Sequence, residues 1–107
     1  MLEGKAVIRE TDMLKTMQLH ALDLAAKSLD FYDVTEPTDI ARYIKKEFDG
    51  RYGGGWQCIV GTDFGSFVTH CFGSFIYFYV GSLAILLFRG LNEPEANHFY
   101  MSEPIEA

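Results

Sequence analysis

The sequence is short of the residues that mark metal, redox and nucleic-acid proteins. Its two cysteines, Cys58 and Cys71, lie on different predicted strands without a metal-ligand spacing, which suits free thiols in a reducing cytosol. Nine lysines and arginines face fifteen aspartates and glutamates, giving a net charge of −6, so nucleic acid is not an expected partner. The opening residues lack the apolar run of a signal peptide. These absences favour an acidic cytoplasmic protein.

Formal charge is missing altogether between Asp63 and Arg89, a stretch long enough to span a membrane. Glycine-serine pairs, a histidine and several tyrosines interrupt the stretch, and its period is that of strands, so we expect no membrane partner. Residues 75–80 and 83–88 within it are wholly apolar or aromatic, and Gly81-Ser82 separates them. This pattern predicts an antiparallel hairpin with a two-residue turn.

Both faces of that hairpin require cover, because a half-solvated strand alternates apolar and polar residues. A chain of this length can supply a layer of helix for one face only. If the other face remained exposed to water, Phe75, Tyr77 and Tyr79 would each expose ~150 Å² or more. Together they would match the largest apolar surface patch of a typical monomer. We therefore expect a two-fold homodimer, the commonest closed assembly.

The N-terminal half predicts one short strand and two helices. The strand covers residues 5–9, and an apolar stripe from Leu14 to Tyr32 at three- and four-residue steps predicts the first helix. A ladder of Ile40, Ile44 and Phe48 predicts the second. The boundary signals, in chain order, are Thr11 or Asp12 at the first cap, Thr35 or Glu36 at the second cap, Pro37 in the first turn of the second helix and Gly50 just past its end.

Two further strands complete the plan, at residues 56–60 and 64–71, with turns at 61–63 and 72–74. The strand at 64–71 is the most polar, which suits an edge or an intersubunit position. The predicted fold class is therefore α+β, with two helices packed on an antiparallel sheet.

Catalytic motifs are incomplete. Asp63-Phe64-Gly65 spells the kinase metal-binding tripeptide, but no lysine strand motif or catalytic loop accompanies it. The glycine triplet at 53–55 lacks the lysine and hydroxyl of a phosphate loop. His70 and Cys71 point to opposite faces of one strand, and no two histidines share a ligand spacing. We interpret the chain as a binding protein without catalytic residues, metal or cofactor.

Six segments carry a family resemblance: residues 5–8, 44–49, 56–61, 64–70, 75–79 and 84–88. Together they resemble the small cytoplasmic dynein light chain family of the peptide-binding hub type. The resemblance covers residues 5–90 in one register, apart from two extra residues between the helices. The opening octapeptide and residues 55–58 are most similar to the plant branch. We expect a dynein light chain domain at 1–90 and an acidic, mobile tail at 91–107 that is dispensable for folding.

The resemblance implies how such a protein works. Two protomers pack sheet against sheet with the helices outside, and the strand at 64–71 is exchanged between them. Extended, disordered target segments add to its free edge, and two grooves hold a bivalent target by avidity. The implied partners are a second copy of the chain and disordered segments of target proteins, of which the dynein intermediate chain is a candidate. The implied setting is a microtubule motor complex in the cytoplasm, associated with the cytoskeleton. A dimeric structural subunit independent of a motor, with an altered or lost groove, is the alternative.

Matched position by position, the resemblance also implies two sets of residues, while Phe78 and Phe88 are interpreted as core. The peptide-binding set is Phe64, Gly65, Ser66, Phe67, Thr69, His70, Phe75, Tyr77, Tyr79, Ala84, Leu86 and Thr38. The dimer contacts are Gln57, Ser66, Phe67, Val68 and Thr69. The chain departs from the family at Pro37-Thr38, where a Glu-Lys pair is usual, at Phe67, usually tyrosine, and at Gln57, commonly histidine.

Overall fold

The computed structural model describes residues 6–90, so the tail predicted at 91–107 lies outside the described residues. The elements in this range are β1 (Ala6–Thr11), α1 (Lys15–Phe31), α2 (Pro37–Tyr52), β2 (Trp56–Gly61), β3 (His70–Val80) and β4 (Leu83–Gly90). The strands form one antiparallel sheet in the order β1-β3-β4-β2. This confirms the predicted α+β class with two helices and an antiparallel sheet. Neither described helix is long and apolar enough to cross a membrane.

The core lies between the helices and one face of the sheet. The predicted ladder of Ile40, Ile44 and Phe48 on α2 is fully buried there, and Phe78 of β3 joins it as expected. The two apolar runs pair as a hairpin through a turn at Gly81-Ser82, where Gly81 has a φ of +60°. The remaining core residues are Met13, Ala21, Leu24, Ala25, Trp56, Ile76, Val80, Leu83, Ile85 and Leu87.

The start of α1 differs from the prediction. Its N-cap is Leu14, which makes no side-chain cap hydrogen bond. Thr11 instead accepts a hydrogen bond from the Met13 amide at 3.0 Å, and the Asp12 carboxylate accepts from backbone amides of β3. A side chain that forms a tertiary contact is not free to cap the helix that follows it, so the cap prediction was wrong.

The second helix begins as predicted and ends later. Glu36 is its N-cap and Pro37 lies in its first turn. The helix continues through Gly50 and ends before Gly53, which has a φ of +94°. The extra turn places the Tyr52 ring 4.8 Å from the ring of Phe48, and this packing offsets the ~1 kcal/mol that glycine costs in a helix.

The region around residues 64–74 also differs. The predicted turn at 72–74 lies inside β3, which begins at His70 and contains an irregularity between His70 and Phe75. Residues 64–69 are not assigned to a strand. The strand prediction at 64–71 was therefore wrong for 64–69 in the single chain and right for His70 and Cys71, which begin β3. The path of residues 64–69 has a topological reason given below.

Candidate functional site

Residues 62–69 form a connection that is short for the distance it must cover. β2 and β3 both pair antiparallel with β4, on its two sides, so they run parallel to each other. The chain leaves β2 at Gly61, opposite Ala84, and enters β3 at His70, opposite Gly90. Six residues of β4 separate those points, about 20 Å at ~3.3 Å per residue.

A parallel connection usually takes a dozen or more residues and contains a helix. Here the steps from Gly61 to His70 reach about 30 Å when fully extended. A helix over all nine steps would advance only about 14 Å, less than the ~20 Å to be covered, so most of the segment must be extended along the sheet. We name residues 62–69 the crossing segment.

The crossing segment passes over the sheet face that the helices do not cover, which we call the outer face. Residues directly opposite in an antiparallel pair lie on the same face, so the register assigns the members of this one. They are Gln57, Ile59, Phe75, Tyr77, Tyr79, Ala84, Leu86 and Phe88. The Phe64 ring packs 3.5 Å from the position of a Cβ on Gly61 and 6.0 Å from the Tyr77 ring centroid.

This arrangement covers part of the second hairpin face within one chain. Ala84 and Leu86 are completely buried, whereas Phe75, Tyr77 and Tyr79 are half-buried and Ile59 is exposed. Phe88 lies here too, opposite Phe75, and not in the helix-side core, so that prediction was wrong. The apolar area left for a partner is smaller than the sequence suggested, but it is continuous along β3.

A groove of about 410 Å³ lies between the crossing segment and the outer face. Its lining residues are Glu10, Phe64, Ser66, Phe67, Val68, His70, Phe75 and Tyr77. Six of these eight residues belong to the predicted peptide-binding set of twelve, so the fold brings half of that set together in the groove. Glu10 was missed by the sequence analysis, because it enters through the irregular pairing of β1 with β3, which no local pattern indicates.

Other predicted residues lie at or beyond the edge of this groove. Gly65 and Thr69 are exposed on the crossing segment, and Tyr79 adjoins the groove through a 3.2 Å contact between its hydroxyl and that of Tyr77. Ala84 and Leu86 form the buried floor opposite Tyr79 and Tyr77. Thr38 is exposed in the first turn of α2 and does not line the groove.

Polar groups lie on two sides of the groove, around His70 and around Tyr77. His70 stacks on Phe75 at a ring separation of 4.7 Å and donates from Nδ1 to the Cys71 carbonyl at 2.8 Å in the tautomer that this contact requires. The Asp12 carboxylate lies 4.0 Å from that nitrogen. On the other side, the hydrogen bond with Tyr79 raises the pKa of Tyr77, and the Arg9 guanidinium lies over the Tyr79 ring. These groups can donate to and accept from an extended backbone.

The predicted dimer contacts divide between this segment and β2. Phe67 is fully exposed, Ser66 and Thr69 are exposed, and Val68 is half-buried. Gln57 is exposed on β2, whose second edge is unpaired among the described residues. The structure therefore presents an extended segment and an open sheet edge on the same chain.

The open edge is held rigidly where β2 begins. The Trp56 amide donates to the Asp49 carboxylate at 3.0 Å, and Lys45 bonds both to that carboxylate and to the Trp56 carbonyl. Burial acts to raise the pKa of Asp49, but the hydrogen bonds from Lys45 and Trp56 outweigh it and lower the pKa. Arg89 donates to the Tyr52 carbonyl at 2.8 Å and lies over the Trp56 ring. A strand added to β2 would meet a fixed backbone.

Comparison with known proteins decides the family. The family model described as dynein light chain type 1 matches residues 5–90. The chain belongs to the dynein light chain family. The similarity to its plant branch stays a prediction.

Solved dynein light chain-like domains share the fold. One is the dynein light chain-like domain of the Fasciola hepatica calcium binding protein FhCaBP2, with a TM-score of 0.64 and 24% identity over 82% of this chain and 94% of that one. A native structure of the same domain gives a TM-score of 0.65 and 25% identity over 80% of this chain and 91% of that one. The dynein light chain-like domain of CsTAL3 gives a TM-score of 0.62 and 17% identity over 79% of this chain and 92% of that one. At these identities the likeness concerns the fold.

Within residues 6–90, no cluster of three or more histidine, cysteine or acidic side chains has a geometry that could hold a metal ion. Burial raises the pKa of the Cys58 thiol to about 12, so this dynein light chain keeps that thiol protonated at neutral pH. His20 is engaged by Tyr52 through a 3.0 Å hydrogen bond and stacks on Phe48. These groups have structural contacts that account for them.

Proposed function

We propose that this dynein light chain is a non-catalytic homodimeric hub that binds extended segments of other proteins by strand addition. The observation that supports this most is the crossing segment, which the distance between Gly61 and His70 requires to be largely extended and which has no strand partner among the described residues. Extended backbone with unpaired amides and carbonyls is a template for pairing with another chain. Family membership and the groove beside the segment support the same proposal.

Strand exchange would place the crossing segment of one protomer on the free edge of β2 of its partner. Each chain offers one unpaired segment and, among the described residues, two unpaired sheet edges, at β1 and β2. Pairing at β2 matches one segment with one edge in each protomer. A two-fold axis satisfies both at once, and it brings the apolar outer faces of the two sheets together. The other edge of the exchanged segment would then accept the target strand. Two such sites per dimer would favour bivalent targets.

The first test is the assembly itself. Sedimentation equilibrium at micromolar concentration should give twice the chain mass of 12.1 kDa. The disrupting variant is Phe67→Asp, because a charge on this fully exposed side chain should weaken the dimer without disturbing the packing of the single chain. A native protein that sediments as a monomer across that range would contradict the proposed hub.

The second test concerns the groove. Titration of a Thr-Gln-Thr-type peptide, followed by calorimetry, should show binding that Thr69→Ala and His70→Ala each weaken several-fold. Thr62→Ala is the matched control, since Thr62 is an exposed threonine at the other end of the same segment, outside both the groove lining and the predicted peptide-binding set. If both groove variants keep native affinity while the dimer remains intact, the groove is assigned wrongly.

The insertion between the helices favours a second candidate function. Pro37 removes a backbone donor from the start of α2, where family ligands often place a glutamine, and Thr38 replaces a charged residue there. A dimer that releases no heat with any Thr-Gln-Thr-type peptide, yet stays a dimer, would support a structural or dimerisation subunit acting without a motor.

The cellular roles proposed for the hub follow from the family alone. They are association with a dynein complex through segments such as those of an intermediate chain, in the cytoplasm and on the microtubule cytoskeleton. Residues 1–90 would form the working domain, with 91–107 as a dispensable acidic tail. Co-sedimentation of the tagged chain with microtubules from its native extract, with and without 91–107, tests both statements.

A further inference from the structure

β3 contains a bulge that carries an exposed phenylalanine, Phe72, two residues along the chain from the groove-lining His70. From His70 to Phe75 the strand advances five residues, while its partner β4 advances two, from Gly90 to Phe88. The extra residues leave the plane of the sheet, and Phe72 lies among them. Its side chain is 96% exposed, although it belongs to a strand. Bulges of this kind commonly re-aim a side chain at a functional surface.

The bulge is held firmly by the linker between β1 and α1. The Asp12 carboxylate accepts hydrogen bonds from the Gly73 amide at 2.8 Å and from the Phe75 amide at 3.1 Å. The Asp12 amide and the Thr11 hydroxyl both donate to the Phe75 carbonyl, at 3.1 and 2.7 Å. Gly73 has a φ of +78°, which glycine adopts without strain. The backbone beside Phe72 is thus fixed, and its ring is presented to solvent by an ordered structure.

Phe72 continues the line of the groove. His70 and Phe75 line the groove, and Phe72 lies between them in sequence without being part of the lining. A strand that pairs along the crossing segment and extends past His70 reaches the bulge about two residues later, at ~3.3 Å per residue. Alternate side chains of such a strand face the protein, so one of them comes next to the Phe72 ring.

We infer that Phe72 forms an apolar subsite at the end of the groove, which selects targets with an apolar or aromatic residue just outside the paired stretch. This inference rests on the proposed function, because it concerns the same target strand. The occupant is a side chain of that strand, since Phe72 lies in sequence between His70 and Phe75, which both line the groove. A rigid, exposed aromatic ring is the kind of anchor that gives specificity at low entropic cost.

The experiment selects ligands without assuming a motif. A random-sequence peptide library displayed on phage is panned on the native dimer, on Phe72→Ser and on Phe31→Ser. The last variant is the matched control, because Phe31 is a 66% exposed phenylalanine on α1, remote in sequence from the groove. The native protein and the control should enrich one sequence family with an apolar residue at a fixed distance from the shared core. Phe72→Ser should enrich the same core without that residue.

Calorimetry with the best enriched peptide completes the test. Replacing its apolar flanking residue with serine should lower affinity about tenfold for the native dimer, equivalent to ~1.4 kcal/mol, and leave the affinity of Phe72→Ser unchanged. A flanking preference that survives in Phe72→Ser, or a core with no flanking preference, overturns the subsite while the hub function stands. A native dimer that enriches no sequence family overturns both. Dissociation of the Phe72→Ser dimer in sedimentation would assign the ring to the dimer interface and also refute the subsite.

Discussion

Removing the Asp12 carboxylate should destabilise the protein more than any other single change on its exposed surface. Asp12 sits between β1 and α1 and joins two parts of the chain about sixty residues apart, because its oxygens accept from the Gly73 and Phe75 amides. Asp12→Ala leaves both amides without that acceptor and frees the bulge. The helix does not lose a cap, since Asp12 does not cap α1.

The magnitude follows from the two hydrogen bonds. A hydrogen bond to a charged group contributes about 1.5–3 kcal/mol, and the partners here are exposed enough for water to replace part of that. We therefore expect Asp12→Ala to lower the free energy of unfolding by about 2–3 kcal/mol. Asp12→Asn keeps one carbonyl acceptor without the charge, so it should lower the free energy of unfolding by about half as much.

Urea unfolding measures this directly, because Trp56 is the single tryptophan and is completely buried. At an m-value of about 1.5 kcal/mol/M, the midpoint should fall by about 1.5–2 M for Asp12→Ala. Asp30→Ala, at an exposed aspartate of α1, is the control and should change the free energy by less than ~0.5 kcal/mol. All proteins are compared at one concentration, since dimerisation adds to stability. A native midpoint for Asp12→Ala would refute the view that this carboxylate holds the bulge.

Four further outcomes are expected. Burial, reinforced by the charge of Arg51, lowers the pKa of His20 below its ordinary 6.5. The neutral His20 side chain therefore contributes fully to stability above pH 6.5, and this contribution is lost as pH falls through the folded pKa. The melting temperature of His20→Gln should decline less steeply between pH 7 and 5 than that of the native protein. Cys58, with a pKa of about 12, should react with iodoacetamide at pH 8 only after unfolding, as mass spectrometry would show. Gln57→His should make the dimer dissociate below about pH 6.5, because two imidazolium ions would then meet in a desolvated interface, whereas the native dimer should persist. Identical sedimentation profiles of the native chain and Gln57→His across this pH range would contradict the prediction. Deletion of 91–107 should change the melting temperature by less than a few degrees, and a larger fall in calorimetry would show that the tail stabilises the core.

The sequence predicted the elements that local physics determines. Runs of apolar residues around Gly81-Ser82 specify a hairpin, and the spacing of Ile40, Ile44 and Phe48 specifies a buried helix face. Both predictions depend on periodicity and turn chemistry, which a single segment contains. The groove residues came from a family resemblance and could not have come from periodicity, since they converge from β1, β3 and the crossing segment.

The predictions that failed involve choices between local and tertiary contacts. Asp12 has the chemistry of a helix cap, but amides of β3 compete for it and prevail. Gly50 has the chemistry of a helix end, but the aromatic contact of Tyr52 with Phe48 extends the helix past it. Residues 72–74 have the chemistry of a turn, but the same Asp12 contacts fix them as a bulge. In the two cases that involve Asp12 the deciding partner lies about sixty residues away, whereas for Gly50 it is one helical turn away.

The crossing segment links assembly to binding. In a single chain it must cross from the end of β2 to the start of β3 on the opposite side of β4, about 20 Å away along the sheet, so it cannot also pair with β2 of that chain. In the proposed dimer it would pair with the partner's β2, and only then would its second edge be held straight enough for a target strand. Groove formation and dimerisation would therefore be one event. Peptide affinity should fall on dilution at the same protein concentration at which sedimentation shows dissociation. An affinity that stays constant through that dissociation would mean that a single chain forms the groove and that strand exchange is not required.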